Sequence, residues 1–149
     1  MKISKNLEPI VSGISAALVI SVLAFLSLET SAGIWLMFSF GATVFIVFVL
    51  HDLETAQPKN IFFGHLLTAL VGVIFVNFIP LPIFITIPLA VGIGIFLMIL
   101  MGFTHPPAGG NPIIVIIGSA SFSYIINPII IGTIIVLVFG IILNRLILK

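Results

Sequence analysis

A helix-breaking segment, Thr104-His105-Pro106-Pro107-Ala108-Gly109-Gly110-Asn111-Pro112, lies between two apolar runs of this chain. Ile83–Phe103 precedes it with Thr86 as its clearly polar side chain, and Ile113–Ile117 follows it. Three prolines and two glycines in nine residues cannot continue a helix, because proline lacks the N–H group and clashes with the preceding turn. In lipid, each backbone group freed by such a break must find a partner in protein or water. The segment therefore indicates a functional site at membrane depth.

The composition indicates an integral membrane protein. Of the 149 residues, 61% are hydrophobic and 6% are charged, whereas a soluble domain carries about 25% charged residues. Five basic and four acidic residues leave no room for a soluble domain or for a basic surface that binds nucleic acid. The chain has no cysteine, which excludes disulfides and thiolate metal sites.

The N-terminal region fits two interpretations. Lys2 and Lys5, followed by an apolar run and Thr30-Ser31-Ala32, would suit a secretory signal with a cleavage site. We favour a first transmembrane helix at Ile10–Leu28, because this run is long enough to span and nothing soluble follows that would need export.

We predict an all-α membrane protein, a small bundle of about six membrane elements with one of them broken at His105-Pro106-Pro107. A spanning helix needs about 20 mostly apolar residues. The predicted spans are Ile10–Leu28, Gly33–Leu50, Ile61–Phe78, Ile83–Phe103 and Ile129–Leu143. The short segment Ile113–Asn127 either crosses together with the broken segment or is re-entrant. We favour crossing, because it places all five basic residues on one face, and basic residues concentrate on the cytoplasmic side. Both termini are then cytoplasmic, and we expect a plasma membrane location.

A weak internal repeat accompanies this count. A shift of 68 residues superimposes three glycine pairs, Gly41 on Gly109, Gly64 on Gly132 and Gly72 on Gly140. The matches suggest a 3+3 inverted repeat, a design common in transporters, within one transmembrane domain whose halves are residues 1–79 and 80–149. The same register places the turn at 29–33 on the apolar residues 97–101, which argues against a well-preserved repeat.

The candidate ligand-binding residues surround the break. The short helix that follows would present free N–H groups and the positive end of its dipole to an anion, and a histidine can donate a hydrogen bond or relay a proton. Alternatively, the break is a kink satisfied by neighbouring helices, with its histidine bonded to a carbonyl. The candidate substrate-binding residues are Ser39, Gly41, Thr43, His65, His105, Pro106, Pro107, Ala108, Gly109, Gly110 and Asn111.

Small residues and missing motifs complete the assignment. Gly64, Thr68 and Gly72 recur every four residues, and together with Gly132 and Gly140 they are predicted to pack helices closely. The three histidines lack the spacing of a zinc-binding helix, and no nucleophile elbow or phosphate-binding loop occurs. We therefore predict no enzyme, no metal site and no cofactor.

The segment His105-Pro106-Pro107-Ala108-Gly109 resembles the signature of the HPP family of small integral membrane proteins. The resemblance extends, in the same order, to Ser39–Ala42, Ala56–Asn60, Gly64–Leu67 and Ala69–Gly72. Family members in cyanobacteria and chloroplast envelopes are implicated in nitrite transport, so the resemblance implies a small-anion carrier or channel. The chain departs from the family pattern at Lys59, where arginine is usual, at Asp52-Leu53-Glu54, and at Gly110-Asn111-Pro112. The acidic pair in the second of these weakens the case for a vestibule that attracts anions.

We expect a secondary transporter or channel for a small, nitrite-like monovalent anion, bound at backbone amides of the broken helix. Its partners would be the inorganic anion, the lipid bilayer and further copies of the chain in a homo-oligomer, but no nucleic acid. The alternative is a non-transporting membrane component that assembles with a partner. A transporter needs a polar path from Lys59 to the break, whereas an assembly component would bury the break dry between helices.

Overall fold

The computed structural model describes residues 4, 6–31 and 36–145, and this part of the chain is helical without any strand. Its helices are α1 (Glu8–Leu28), α2 (Phe38–Val49), α3 (Pro58–Phe78), α4 (Ile83–Met101), α5 (Asn111–Ile117) and α6 (Ile131–Leu143). Short 3₁₀ helices cover Glu54–Ala56 and Pro106–Gly110, and an irregular π-type turn, Ile125–Ile130, leads into α6. The prediction of an all-helical membrane protein is confirmed.

Four helical stretches of the described residues are long and apolar enough to span a membrane: Glu8–Leu28, Pro58–Phe78, Ile83–Met101 and Ile125–Leu143. Two shorter apolar helical stretches, Phe38–Val49 and Pro106–Ile117, complete the bundle. The large apolar side chains exposed on the surface include Phe38 (91%) and Leu28 (76%). An outer surface of this kind suits lipid, in which apolar side chains need no burial.

Two predicted segment boundaries differ from the structure. The second span was predicted from Gly33, which lies outside the described residues, but Leu36 and Met37 are not helical and α2 begins at Phe38. Within the segment Ile113–Asn127, predicted either to cross together with the break or to be re-entrant, α5 ends at Ile117 and a turn follows. Ser119 in that turn has φ 48°, a left-handed conformation that a continuing helix does not contain.

The end of α4 and the start of α3 follow from local sequence. Gly102 has φ 71°, and its left-handed conformation closes α4. The next N–H group, that of Phe103, donates to the Met98 carbonyl oxygen at 2.9 Å. Pro58 occupies the first position of α3, where its missing N–H group costs no helical hydrogen bond.

One end of the bundle, which we call the loop end, contains the segment 50–57 between α2 and α3. Ser12 Oγ near the start of α1 donates to the Phe48 carbonyl oxygen at 3.2 Å. Asn144 Nδ2, just after α6, donates to the Val47 carbonyl oxygen at 2.9 Å. The start of α1 and the ends of α2 and α6 therefore meet at the loop end.

The segment Pro106–Ile117 runs beside α3 towards the opposite, far end of the bundle. His105, just before the segment, lies against Gly64 near the start of α3. Beyond the segment, the Ala120 carbonyl oxygen accepts a hydrogen bond from Asn77 Nδ2 at 3.1 Å, in the last turn of α3. The chain therefore passes along the length of α3, as expected for the crossing interpretation rather than the re-entrant one.

Candidate functional site

Five polar side chains from separate segments meet inside the bundle, and we call them the polar cluster. Thr43 comes from α2, His65 and Thr68 from α3, His105 from the residues after α4, and Asn111 from the start of α5. Each is at most 1% exposed. Burial of polar groups is costly unless they are hydrogen-bonded, so the contacts within the polar cluster decide what the site can do.

The Thr43 hydroxyl lies between the two imidazoles. Its Oγ1 is 2.9 Å from His65 Nε2 and 3.1 Å from His105 Nε2. The two ring centroids are 5.1 Å apart. Oγ1 also lies 3.0 Å from the Ser39 carbonyl oxygen one turn earlier in α2. The hydroxyl therefore links α2 to both histidines at once.

The second ring nitrogen of His105 links the polar cluster to the loop end. His105 Nδ1 is 2.8 Å from the Thr55 carbonyl oxygen. A carbonyl oxygen only accepts hydrogen bonds, so Nδ1 carries the proton and donates it. In the neutral ring, Nε2 is then an acceptor. A histidine bonded to a carbonyl was the alternative interpretation from the sequence. The Nδ1 contact of His105 is such a bond, whereas its Nε2 atom contacts the Thr43 hydroxyl.

The second ring nitrogen of His65 faces Asn111. Asn111 Nδ2 is 3.0 Å from His65 Nδ1, 3.1 Å from Thr68 Oγ1 and 3.2 Å from the His65 carbonyl oxygen. An amide nitrogen only donates, so His65 Nδ1 accepts and the proton of the neutral ring is on Nε2. Asn111 Oδ1 is buried and has no hydrogen-bond partner in the described part of the chain.

Glycines make room for this arrangement. A Cβ atom on Gly64 would lie 2.9 Å from His105 Cβ. A Cβ atom on Gly72 would lie 2.9 Å from Pro112 Cα, and one on Gly140 would lie 2.6 Å from a methyl carbon of Val47. Gly64 and Gly72 let the segment after α4 approach α3, and Gly140 lets α6 approach α2.

The two other residues predicted to pack helices closely are Gly132 and Thr68, and their surroundings differ. Gly132 is buried in α6. A Cβ atom on Gly94 of α4 would lie 3.3 Å from the methyl carbon of Thr68, so Thr68 packs closely against α4. The Thr68 hydroxyl also accepts a hydrogen bond from Asn111. Thr68 was predicted from the sequence for packing alone, and its part in the polar cluster was missed.

The candidates within the break form the 3₁₀ helix Pro106–Gly110. Ala108 is buried, and its N–H group donates to the His105 carbonyl oxygen at 3.0 Å. The Asn111 N–H group donates to the Ala108 carbonyl oxygen. Gly109 and Gly110 are half-buried.

Two candidates on α2 lie apart from the histidines. Gly41 is exposed and has no atom within 4 Å of its Cβ position. It lines an apolar groove of about 460 Å³ between α1 and α2. Ser39 is buried, and its Oγ has no hydrogen-bond partner among the described residues.

The Thr55 carbonyl was missed from the sequence, because a main-chain acceptor leaves no signature in residue types. Thr55 precedes Ala56, which lines a cavity of about 400 Å³ at the loop end. The polar residues around this cavity are His51, Asp52, Gln57, Asn144 and Arg145. The polar cluster is therefore connected to this cavity by the hydrogen bond from His105 to the Thr55 carbonyl and by the peptide bond from Thr55 to Ala56. Among the described residues, no group of three His, Cys, Asp or Glu side chains could hold a metal ion.

Comparison with known proteins shows to which protein family the chain belongs. The profile of the family described as "HPP, transmembrane region" matches residues 2–149. A curated transmembrane protein of Dictyostelium discoideum is 31% identical over 114 residues, which cover 72% of this chain and 40% of that protein. The chain thus spans less than half the length of that relative. No solved structure matches it. The resemblance seen in the sequence is confirmed: the chain belongs to the HPP transmembrane family.

Proposed function

We propose that the protein is a secondary transporter or channel for a small monovalent anion, nitrite-like, which binds at the polar cluster and the adjoining residues His105–Asn111. The observation that carries the proposal is a set of fully buried hydroxyl, imidazole and amide groups inside an apolar bundle. Polar groups within a membrane are expensive and mark substrate or ion pathways.

Neutral donors suit a passing anion. Within α1–α6 the charged residues are Glu8 and Lys59, both in the first turn of their helices at the loop end. A permanent buried countercharge, such as that of a lysine, would hold the anion too tightly for release in a low dielectric. Hydroxyl and imidazole N–H donors bind it more weakly, as transport requires.

Main-chain donors of the break would complete the site. The Ala108 and Asn111 N–H groups donate within the segment. We place the anion beside Thr43 in the polar cluster, and we propose that backbone N–H groups of the break turn towards it on binding, which the absence of side chains on Gly109 and Gly110 would permit.

The 400 Å³ cavity at the loop end would be the entrance. The polar cluster is sealed in this structure, with His105 fully buried beneath Thr55. We interpret the structure as an occluded state, in which the bond between His105 and the Thr55 carbonyl closes the path from the cavity. Arg145 at the rim offsets the acidic Asp52.

Internal symmetry supports a carrier. The shift of 68 residues relates the helical stretch Phe38–Val49 to Pro106–Ile117, the two short apolar stretches of the bundle. It also relates the contact between Gly72 and Val115 to the contact between Gly140 and Val47. Each contact joins the two halves of the chain, and the halves exchange roles between the two contacts, as expected for an inverted repeat. The bounds of α1 and α4 follow the shift less well.

The orientation and assembly proposed from the sequence extend this function. Lys59 and Arg145 both lie at the loop end. Basic residues favour the cytoplasmic side, so we place the loop end and both termini in the cytoplasm of a cell with the protein in its plasma membrane. Association into a homo-oligomer stays a prediction.

The test is nitrite uptake into liposomes that contain the purified protein. We expect uptake above that of protein-free liposomes, and a loss of about tenfold or more in His105→Ala and Gly109→Leu. The first removes a buried hydrogen-bonding group, which costs about 1–3 kcal/mol, and the second adds a side chain that would block approach to the backbone. Gly92→Leu is the matched control for Gly109→Leu, because Gly92 has open space around its Cβ position. Native uptake equal to that of protein-free liposomes would contradict the proposal.

The full burial of the polar cluster also suits the alternative, a non-transporting component that assembles with a partner. In that case the cluster would serve only to join α2, α3 and the segment after α4. Native protein would then carry no anion, and His105→Ala would lower stability alone. The uptake assay, run beside a thermal unfolding measurement, separates the two functions.

A further inference from the structure

The two imidazoles of the polar cluster carry their protons on different nitrogens, and this difference bears on what crosses with the anion. His105 Nδ1 donates to the Thr55 carbonyl at 2.8 Å, which leaves Nε2 as an acceptor facing Thr43. His65 Nδ1 accepts from Asn111 at 3.0 Å, which leaves Nε2–H as a donor facing the same hydroxyl. The Thr43 hydroxyl therefore meets an N–H donor on one side and a lone pair on the other, and an anion bound here would replace its contacts with the rings.

We propose that the site takes up one proton with each anion, at Nε2 of His105, so that transport is an electroneutral anion–proton symport. The inference rests on the proposed function, namely that an anion binds between these groups. It assigns the coupling ion and the atom that carries it.

The hydrogen-bond directions give the first step of the argument. An anion beside Thr43 would accept hydrogen bonds from His65 Nε2–H and from the Thr43 hydroxyl. It would also meet the lone pair of His105 Nε2, which repels it. The lone pair is present in neutral His105 even if the Thr43 proton is shared with the Ser39 carbonyl, 3.0 Å away. Anion binding therefore favours a protonated Nε2.

The proton balance is simple. As the anion enters, a hydronium ion breaks one O–H bond, leaves as water and gives its proton to a new N–H bond at His105 Nε2. The hydrogen bond from Nδ1–H to the Thr55 carbonyl re-forms when the path closes again. The ring then carries a positive charge and presents two donors, one to the anion and one to Thr55. On release, the Nε2–H bond breaks and the proton leaves with the anion. The protein returns to its neutral state.

Charge balance gives the second step. The groups that contact the imidazoles are neutral in every packed element: Phe40 and Thr43 on α2, Thr55 in the loop, Gly64 on α3 and Asn111 on α5. The other titratable group beside each ring is the other ring.

Fixed charges lie elsewhere in the described chain. Asp52, Glu54 and Lys59 are exposed, and none bonds either ring. A lone anion or a lone proton in the polar cluster would therefore be an unpaired buried charge, which is strongly unfavourable. An anion and a proton bound together add no net charge to the buried site.

The first test is solid-state ¹⁵N NMR of the full chain in lipid, with ¹⁵N-labelled histidine and with His51→Ala to leave the two cluster signals. We expect His65 protonated at Nε2 and His105 at Nδ1. Saturating nitrite should convert the His105 signal to that of a ring protonated on both nitrogens, and leave the His65 tautomer unchanged. The same tautomer on both rings, or a His105 ring unchanged by nitrite, would overturn the inference without any transport assay.

The second test measures flux in liposomes with a pH dye inside. We expect nitrite uptake to acidify the lumen and to be equal with and without a valinomycin–potassium clamp of the membrane potential. Uptake should rise about tenfold per unit of falling external pH while the proton site is unsaturated, because the competent fraction follows proton concentration. Uptake by protein-free vesicles of the same lipid is subtracted to remove passive passage of nitrous acid.

Variants separate this inference from the proposed function. His105→Gln keeps an amide donor but cannot titrate, so uptake should fall about tenfold or more and lose its pH dependence, whereas Gly92→Leu should behave as native. Uptake that is faster under the clamp and leaves the lumen pH unchanged would overturn the coupling and keep anion transport. No uptake above protein-free vesicles would overturn both.

Discussion

At the scale of single residues, the Thr43 hydroxyl is the group that contacts both buried histidines. It contacts Nε2 of both His65 and His105, at 2.9 and 3.1 Å. Thr43→Val keeps the shape of the side chain but leaves both nitrogens without this partner in a buried site. We expect the free energy of unfolding to fall by about 1–3 kcal/mol, the cost of an unsatisfied buried polar group, measured by denaturation in detergent micelles.

Thr43→Ser is the matched variant, because it restores the hydroxyl and loses only a methyl group. Its loss of stability should be clearly smaller than that of Thr43→Val. If the valine variant is as stable as the native protein, the hydrogen bonds of Thr43 do not contribute to the fold as the distances indicate.

Four of the five members of the polar cluster were candidates from the sequence, but their pairing was not foreseeable. Thr43, His65, His105 and Asn111 were candidates because polar groups at membrane depth need a reason. Their mutual contacts join residues 22 to 62 positions apart in the chain, and no local pattern encodes such distances. The Thr55 carbonyl and the Thr68 hydroxyl were missed for the same reason.

At the scale of elements, close packing of the segment after α4 against α3 depends on glycine. A Cβ atom on Gly72 would lie 2.9 Å from Pro112 Cα and 3.0 Å from Val115 Cβ. The first of these is backbone and cannot move away cheaply. We expect Gly72→Ala to lower the free energy of unfolding by about 1–3 kcal/mol, as overpacking does, in the same detergent assay.

Gly92→Ala is the control for that substitution, since both glycines are helical and apolar in context. No atom lies within 4 Å of the Gly92 Cβ position. Alanine is the better helix former by up to about 1 kcal/mol, so this variant should be as stable as the native protein or more so. Equal effects at the two positions would mean that steric contact at Gly72 is not the cause.

Element bounds follow the sequence where a strong local rule applies. The apolar lengths predicted α1, α3 and α4 to within a few residues, because a span needs about 20 apolar residues. Prolines and glycines located the irregular residues after α4. The turn after Ile117 was not located, because the run Ile113–Ile117 gives way to small polar residues that permit either a helix or a turn.

At the scale of the whole molecule, an even number of crossings brings the start of α1 and the end of α6 to the loop end. Ser12 and Asn144 both bond the last turn of α2. At the far end, the Leu36 N–H group donates to Ser27 Oγ at 2.8 Å, which places the end of α1 beside the start of α2. These contacts support the proposed membrane topology, and the positions of the basic residues predict its sidedness.

The native chain has no cysteine, so single introduced cysteines report sidedness without background. We expect Asn6→Cys and Asp52→Cys to react with a membrane-impermeant maleimide in inverted vesicles, and Ser31→Cys and Ser123→Cys to react on intact cells. All four positions are exposed, so labelling depends on side rather than burial. The first pair lies at the loop end, which carries Lys59 and Arg145 and should face the cytoplasm.

Each departure from that pattern has one meaning. If Asp52→Cys and Ser123→Cys react from the same side, the segment Pro106–Ile117 does not cross, and the contact of Asn77 with Ala120 cannot exist as described. If Asn6→Cys and Asp52→Cys react from opposite sides, α1 and α2 do not both cross. If both pairs exchange sides together, the bundle is kept but its orientation is reversed. The entrance beside Thr55 would then open to the exterior, and proton-coupled uptake into the cell would begin from that cavity rather than end there.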